Sequence, residues 1–315
     1  MAPTPASLNS PMKTTPINRR KFVANTALSA MGLLLGHDLL GATTAESERR
    51  SYDLMKEVLK YRKIDTHAHA NPSNFATVID TADRLGIQKL VLANHAYPPF
   101  GGMDVYRTIN DGVIAAVKRF PDRFLGYFTL NPNHPKESLE EMKRCVDQGL
   151  IGCKVYTEVK ISDPLYRPII EQCIEHKLIV HVHSECDGYF RRMWDIKVAP
   201  NASLPEDYVI AARRYPEAIF EYAHIGTGND FEWACKVLTG TPNIYVNAGA
   251  SDNEEPLIDT VLKYFDEDKI FFATDGSYYQ SIGKILASRA TDAQRRKIFS
   301  ENFINVLKKG GRHVA

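Results

Sequence analysis

From residue 62 onward, short apolar runs rich in β-formers alternate with stretches whose apolar positions recur every three or four residues. The runs cover 64–69, 89–94, 124–130, 152–156, 178–183, 219–224, 244–247 and 270–275. Helical periodicity fills the gaps at 75–85, 105–119, 136–148, 165–176, 205–215, 231–238 and 255–265, then continues at 282–289 and in a closing helix at 291–309. Gly86 and Gly149 stand just before the next strand, where a helix end favours a residue tolerant of positive φ. Strands and helices alternating in this number predict an α/β fold, a single-domain (β/α)8 TIM barrel. An open doubly wound sheet is the alternative. It calls for a glycine-rich turn after the first strand, and Ala68-His69-Ala70-Asn71-Pro72 offers none. The barrel is assigned to residues 62–309, with 46–61 as a linker and short helix and 310–315 as a tail.

The N-terminus follows a different pattern. Residues 1–17 are rich in Pro, Ser and Thr, a disordered composition. Asn18-Arg19-Arg20-Lys21-Phe22-Val23 then precedes a mild apolar run, 24–40, and small residues at 41–45. Two arginines before a Phe, a short apolar region and small residues at its end resemble a twin-arginine export signal. On this reading residues 1–45 are a leader, the export machinery is a partner, and the mature protein is periplasmic or otherwise exported, in folded form. Asn25, Gly32, Gly36, His37 and Asp38 interrupt the apolar run, which argues against a stable membrane span.

Composition narrows the function. A net charge of +1 without a basic stripe gives no reason to expect nucleic acid. Five cysteines, an odd number with no C-x-x-C pair, argue against a disulfide framework or a zinc finger. Assembly into an oligomer is left open. The chemistry lies at the strand ends, where a barrel carries its active groups. In order these are His67 and His69, Asn94 and His95, Asn131, Lys154, His181 and His183, His224, and Asp275. His67 and His69 are two apart on a strand and share a face, half of a metal site. Ligand-type side chains at so many strand ends point to a metal centre rather than packing.

These residues also carry a family signature. Ile64-Asp65-Thr66-His67-Ala68-His69 opens the barrel, Gly152-Cys153-Lys154-Val155-Tyr156 lies on strand four, and Leu178 to His183 forms strand five. Ala223-His224-Ile225-Gly226 and Phe272-Ala273-Thr274-Asp275 follow on strands six and eight, and Ser300-Glu301-Asn302-Phe303-Ile304 lies within the closing helix. Taken in this order over residues 62 to about 307, the chain resembles the amidohydrolase superfamily, in its amidohydrolase-related branch of TIM-barrel hydrolases and decarboxylases.

The resemblance implies that His67, His69, His183 and Asp275 bind one divalent metal, zinc by the chemistry of the set. His224 would be the acid/base or electrophilic residue, and Asp275 would also accept a proton from metal-bound water. It further places His183 as the ligand of strand five, with His181 one layer deeper as its support. Lys154 either lines the barrel or, if carboxylated, bridges a second metal. Asp65 reads as a structural acid bonded to neighbouring backbone. His95, Tyr156, Glu158, Arg191 and Arg192 are candidates for contacting a small-molecule substrate, and a guanidinium could clamp a carboxylate. The first functional expectation is hydrolysis of a lactone, amide or related carbonyl. The alternative is non-oxidative decarboxylation of a small aromatic or unsaturated acid on the same metal. A barrel kept only for binding is a third reading, and the complete ligand set argues against it.

Overall fold

The structure is a computed structural model that describes residues 53–96, 101–184, 201–225, 231–250, 255–312 and 314. The leader with its arginine pair, and Cys186, Arg191, Arg192 and Trp194, lie outside the described residues. Eight parallel strands run in the order β1 to β8: Lys63–Ala68, Ile87–Leu92, Phe124–Thr129, Gly152–Val155, Ile179–Val182, Ile219–Tyr222, Ile244–Asn247 and Ile270–Phe271. The sheet closes on itself where Thr66 N–H donates to Phe272 O (3.0 Å) and Asp275 N–H to His67 O (2.8 Å). The fold is a (β/α)8 TIM barrel. Among the described residues no helix is long and apolar enough to cross a membrane.

A short α1 (Leu54–Leu59) precedes the barrel. Helices α2 (Phe75–Arg84), α3 (Met103–Arg119), α4 (Pro135–Asp147), α5 (Arg167–Glu175), α6 (Pro205–Arg214), α7 (Phe231–Leu238), α8 (Leu257–Tyr264) and α9 (Tyr278–Ala287) lie between and after the strands. Gly86 (φ 67°) and Gly149 (φ 87°) take the left-handed conformation that ends α2 and α4. The chain closes with α10 (Asp292–Arg296), capped by Thr291 accepting from Gln294 N–H, a π-helical turn at Lys297–Glu301, and α11 (Asn302–Lys309).

Period-two alternation sorts side chains into two cores. Cys153, Val155, Val180, Val182, Phe220 and Tyr222 point out to the helices. Ile64, Val91, Tyr127, Ile179, Tyr245 and Phe271 point in and fill the barrel floor, where Phe303, Val306 and Leu307 of α11 join them. Gly152 is small because Tyr127 occupies the interior beside it: a Cβ there would meet the Tyr127 ring at 2.8 Å and the Ile179 carbonyl closer still.

Above that floor the barrel turns polar. Strand register aligns Thr129, Lys154, His181 and Glu221 as one row, and all four are buried. An irregularity in the β1–β2 pairing between Asp65 and Ala68 breaks the alternation. As a result the consecutive Thr66 and His67 both reach barrel-lining groups, Glu221 and Lys154 respectively.

Candidate metal centre

Each site residue leaves a strand at its carboxyl end, and two of them do so in an unusual backbone conformation. His224 (φ 42°) and Asp275 (φ 48°) are non-glycine residues in the left-handed region. That conformation persists only where neighbours fix it. Asp275 is fixed across the β8–β1 seam by Asp65. Oδ1 of Asp65 accepts from His67 N–H (3.0 Å) and Thr274 N–H (2.9 Å), and Oδ2 accepts from the Thr274 hydroxyl (2.6 Å). The expected structural acid therefore ties together the backbones that carry two candidate ligands. Burial pushes its carboxyl up to about 7 against the pull of those donors.

Asp275 Oδ1 lies 2.9 Å from His69 Nε2 and 3.5 Å from His67 Nε2. One donor atom each from His67, His224 and Asp275 falls within 4.8 Å of the others. His69, also expected as a ligand, is not in that group although it touches Asp275, and neither is His183. His183 joins through His224, whose Nε2 is 3.0 Å from His183 Nδ1. The geometric triad thus includes His224, expected as the acid/base residue, while His183, expected as a ligand, stands one contact away.

Burial holds the imidazoles of His67 and His183 neutral, well below their ordinary range, and brings His224 down to about 3. Neutral rings keep a nitrogen lone pair to offer a metal. Burial also opposes the charge on Asp275, but hydrogen bonding from His69 and the nearby His224 and Lys154 outweigh it and bring the carboxyl down to about 2. Several imidazoles around one carboxylate suit zinc or a similar divalent ion. His67 presents Nε2 to Asp275, so a buried neutral imidazole and an ionised carboxylate share one site, the donor chemistry that a divalent ion takes. The residues present fit a metal.

Lys154 lies under the site with its Nζ 3.3 Å from His67 Nε2, and burial lowers its amine to about 8. His181 sits one layer deeper than His183. Its ring packs 4.4 Å from that of His67, and its Nδ1 is 2.8 Å from Glu221 Oε2. At the mouth, His95 stacks on Tyr156 with ring centroids 3.9 Å apart and planes within 5°, and Tyr156 leans on His183 at 4.6 Å. His69 stands edge-on to the stacked pair, 5.6 Å from His95.

Glu158 is placed differently from a substrate-facing group. It is buried, accepts from the Tyr106 and Tyr166 hydroxyls (3.0 and 3.3 Å) and from Tyr156 N–H (3.2 Å), and so pins the backbone that presents Tyr156. The sequence reading missed Glu221 and Asn247. A lone carboxylate on the inward positions of an otherwise apolar strand is the signal that would have found Glu221.

Fold and site together define a TIM-barrel protein with a histidine- and aspartate-lined mouth suited to a divalent metal. The chain belongs to the amidohydrolase family, whose model (Amidohydro_2) matches residues 64–308. It is 29% identical over 89 residues to a 2-amino-3-carboxymuconate-6-semialdehyde decarboxylase of Dictyostelium discoideum. That match covers 27% of this chain and only 25% of the relative. A 2,6-dihydroxybenzoate decarboxylase from Rhizobium shares the fold at TM-score 0.65 and 16% identity, over 79% of this chain and 99% of that one. A 5-carboxyvanillate decarboxylase from Novosphingobium aromaticivorans, solved with manganese and 4-hydroxy-3-methoxy-5-nitrobenzoic acid, does so at TM-score 0.61 and 17% identity, over 79% and 96%.

Proposed function

We propose that this protein is a metal-dependent, non-oxidative decarboxylase of a small aromatic or unsaturated carboxylic acid. The proposal revises the order of the sequence expectations, in which hydrolysis stood first. Both reactions would use the same ligands. The observation that carries the choice is that these three relatives, one matched in sequence and two in fold, are each described as decarboxylases.

In this reading His67, His69 and Asp275 hold the metal, joined by His224 or His183. The ion, zinc or manganese, would supply Lewis acidity for an acidic oxygen of the substrate. The chain's own residues do the rest. Asp275 stays ionised and anchors His69. Loss of carbon dioxide leaves electron density on a carbon that needs a proton; with both imidazoles neutral it would come from solvent water, relayed by the N–H shared between His224 Nε2 and His183 Nδ1, which that water's proton restores. Lys154 adds a cation beneath the site at neutral pH. The arginine pattern at Arg19-Arg20 supports export of the folded protein.

The test is carbon dioxide release from a panel of hydroxybenzoic and unsaturated dicarboxylic acids, run beside lactones and amides, with manganese- or zinc-loaded protein. Release from at least one acid, lost in Asp275→Asn, is expected. Turnover of a lactone or amide without carbon dioxide would return the assignment to hydrolysis.

A further inference from the structure

His224 adopts its left-handed backbone without the freedom a glycine would have, so something must hold it there. The holder is on the next strand. Asn247, the last residue of β7, accepts from the His224 N–H through Oδ1 at 2.7 Å, and its backbone carbonyl accepts from Ile225 N–H at 2.8 Å. One residue therefore grips two consecutive amides of the turn that follows β6. The same Oδ1 also accepts from Gly249 N–H at 3.3 Å.

The amide can face only one way. Its Nδ2 donates to Glu221 Oε1 at 2.6 Å, and that carboxylate is itself fixed by the Thr66 hydroxyl (2.7 Å) and the Tyr127 hydroxyl (3.1 Å). Flipping Asn247 would set its oxygen against the carboxylate and its amino group against the His224 N–H. Asn247, Glu221, Thr66 and Tyr127 are all fully buried, so water cannot repair such a flip. At the other left-handed site residue, Asp65 reaches from β1 to the Thr274 turn beside Asp275, whose own amide donates to the His67 carbonyl. The two strained site residues are thus each tied to the adjoining strand, with a buried polar side chain taking part.

We propose that Asn247, oriented by Glu221, is a positioning residue that sets the His224 backbone and thereby aims its ring at His183 and the metal site. The aim is visible as the 3.0 Å contact between His224 Nε2 and His183 Nδ1. The grip is read from the geometry, while its consequence for metal binding rests on the site assignment above.

The experiment uses the full chain with 15N-labelled histidine, metal-free and titrated with zinc alone. The His224 signals are assigned by their loss in His224→Ala. In Asn247→Leu we expect the His224 amide and imidazole signals to move while those of His134 and His176 stay, and zinc affinity to fall at least about tenfold. Asn247→Asp combined with Glu221→Gln keeps an oxygen facing the His224 N–H without setting two carboxylates against each other, and should bring the signals back towards wild type. In the wild type itself the His224 amide should exchange slowly with solvent, a measurement that needs no variant to fold. A fast-exchanging wild-type amide, or unmoved His224 signals in folded Asn247→Leu, would overturn the proposal. Should His224→Ala bind zinc as tightly as wild type, the metal role of His224 falls and with it the expected affinity loss. The grip on the backbone would still be decided by the amide.

Discussion

Replacing Asp65 by alanine should open the seam that carries both halves of the site. The carboxylate accepts three hydrogen bonds in a fully buried position, two from backbone amides at His67 and Thr274 and one from the Thr274 hydroxyl. Alanine leaves both amides without an acceptor, at about 1–3 kcal/mol each. The sum, roughly 4 kcal/mol, is a large share of the 5–15 kcal/mol or so that holds a typical domain folded. At about 2–4 °C per kcal/mol for a barrel of this size, the melting temperature should drop by roughly 8–16 °C. Asp65→Asn keeps one acceptor oxygen for the two amides and should lose clearly less. Circular-dichroism melts of both variants in the presence of a chelator give the ranking without any metal contribution. A melting point for Asp65→Ala within about 2 °C of wild type would refute the seam argument.

Burial raises the Glu158 carboxyl from 4.5 to about 7 against the pull of its tyrosine partners. The folded state then binds that proton more tightly than the unfolded chain does. Its contribution is fully present below pH 4.5 and is lost as pH rises through about 7. Glu158→Gln cannot titrate, so the stability difference between the two proteins, from denaturant melts, should change across that window; a constant difference would contradict the assignment. Gly152→Ala forces a methyl against the Tyr127 ring and the Ile179 carbonyl and should cost about 1–3 kcal/mol in the same assay. A neutral outcome would mean that the barrel floor yields more easily than its packing indicates.

The strands were largely legible because a parallel barrel writes each one as a short apolar run. The expected 244–247 is β7 as found, and 152–156 and 178–183 overshoot β4 and β5 by one or two residues. Strand eight was expected over 270–275, but its ladder ends at Phe271. Phe272 N–H goes instead to the Ile298 carbonyl of the π-helical turn, and Thr274 turns to meet Asp65. Both partners are remote in sequence, and no local pattern announces them. The closing helix, expected as one piece over 291–309, is interrupted by that π turn at Lys297–Glu301.

Among the site residues, identities were readable where conformations were not. His67, His69 and Asp275 announce themselves by type and by position at strand ends. Nothing in the order of residues says that His224 and Asp275 leave their strands left-handed, or that His224 comes closer to His67 and Asp275 than His183 does. Glu158 illustrates the opposite error. A carboxylate just past strand four suggests a group facing substrate, yet two tyrosines from α3 and from the turn before α5 enclose it.

The central claim is that the strand-end histidines and Asp275 form one metal centre, and a crystal soaked in zinc or manganese tests it most directly by anomalous scattering. The account predicts a single peak at about 2.0–2.2 Å from nitrogens of His67 and His69 and from a carboxylate oxygen of Asp275, with His224 or His183 completing the shell. No peak at the barrel mouth, or one coordinated by none of these residues, would contradict it.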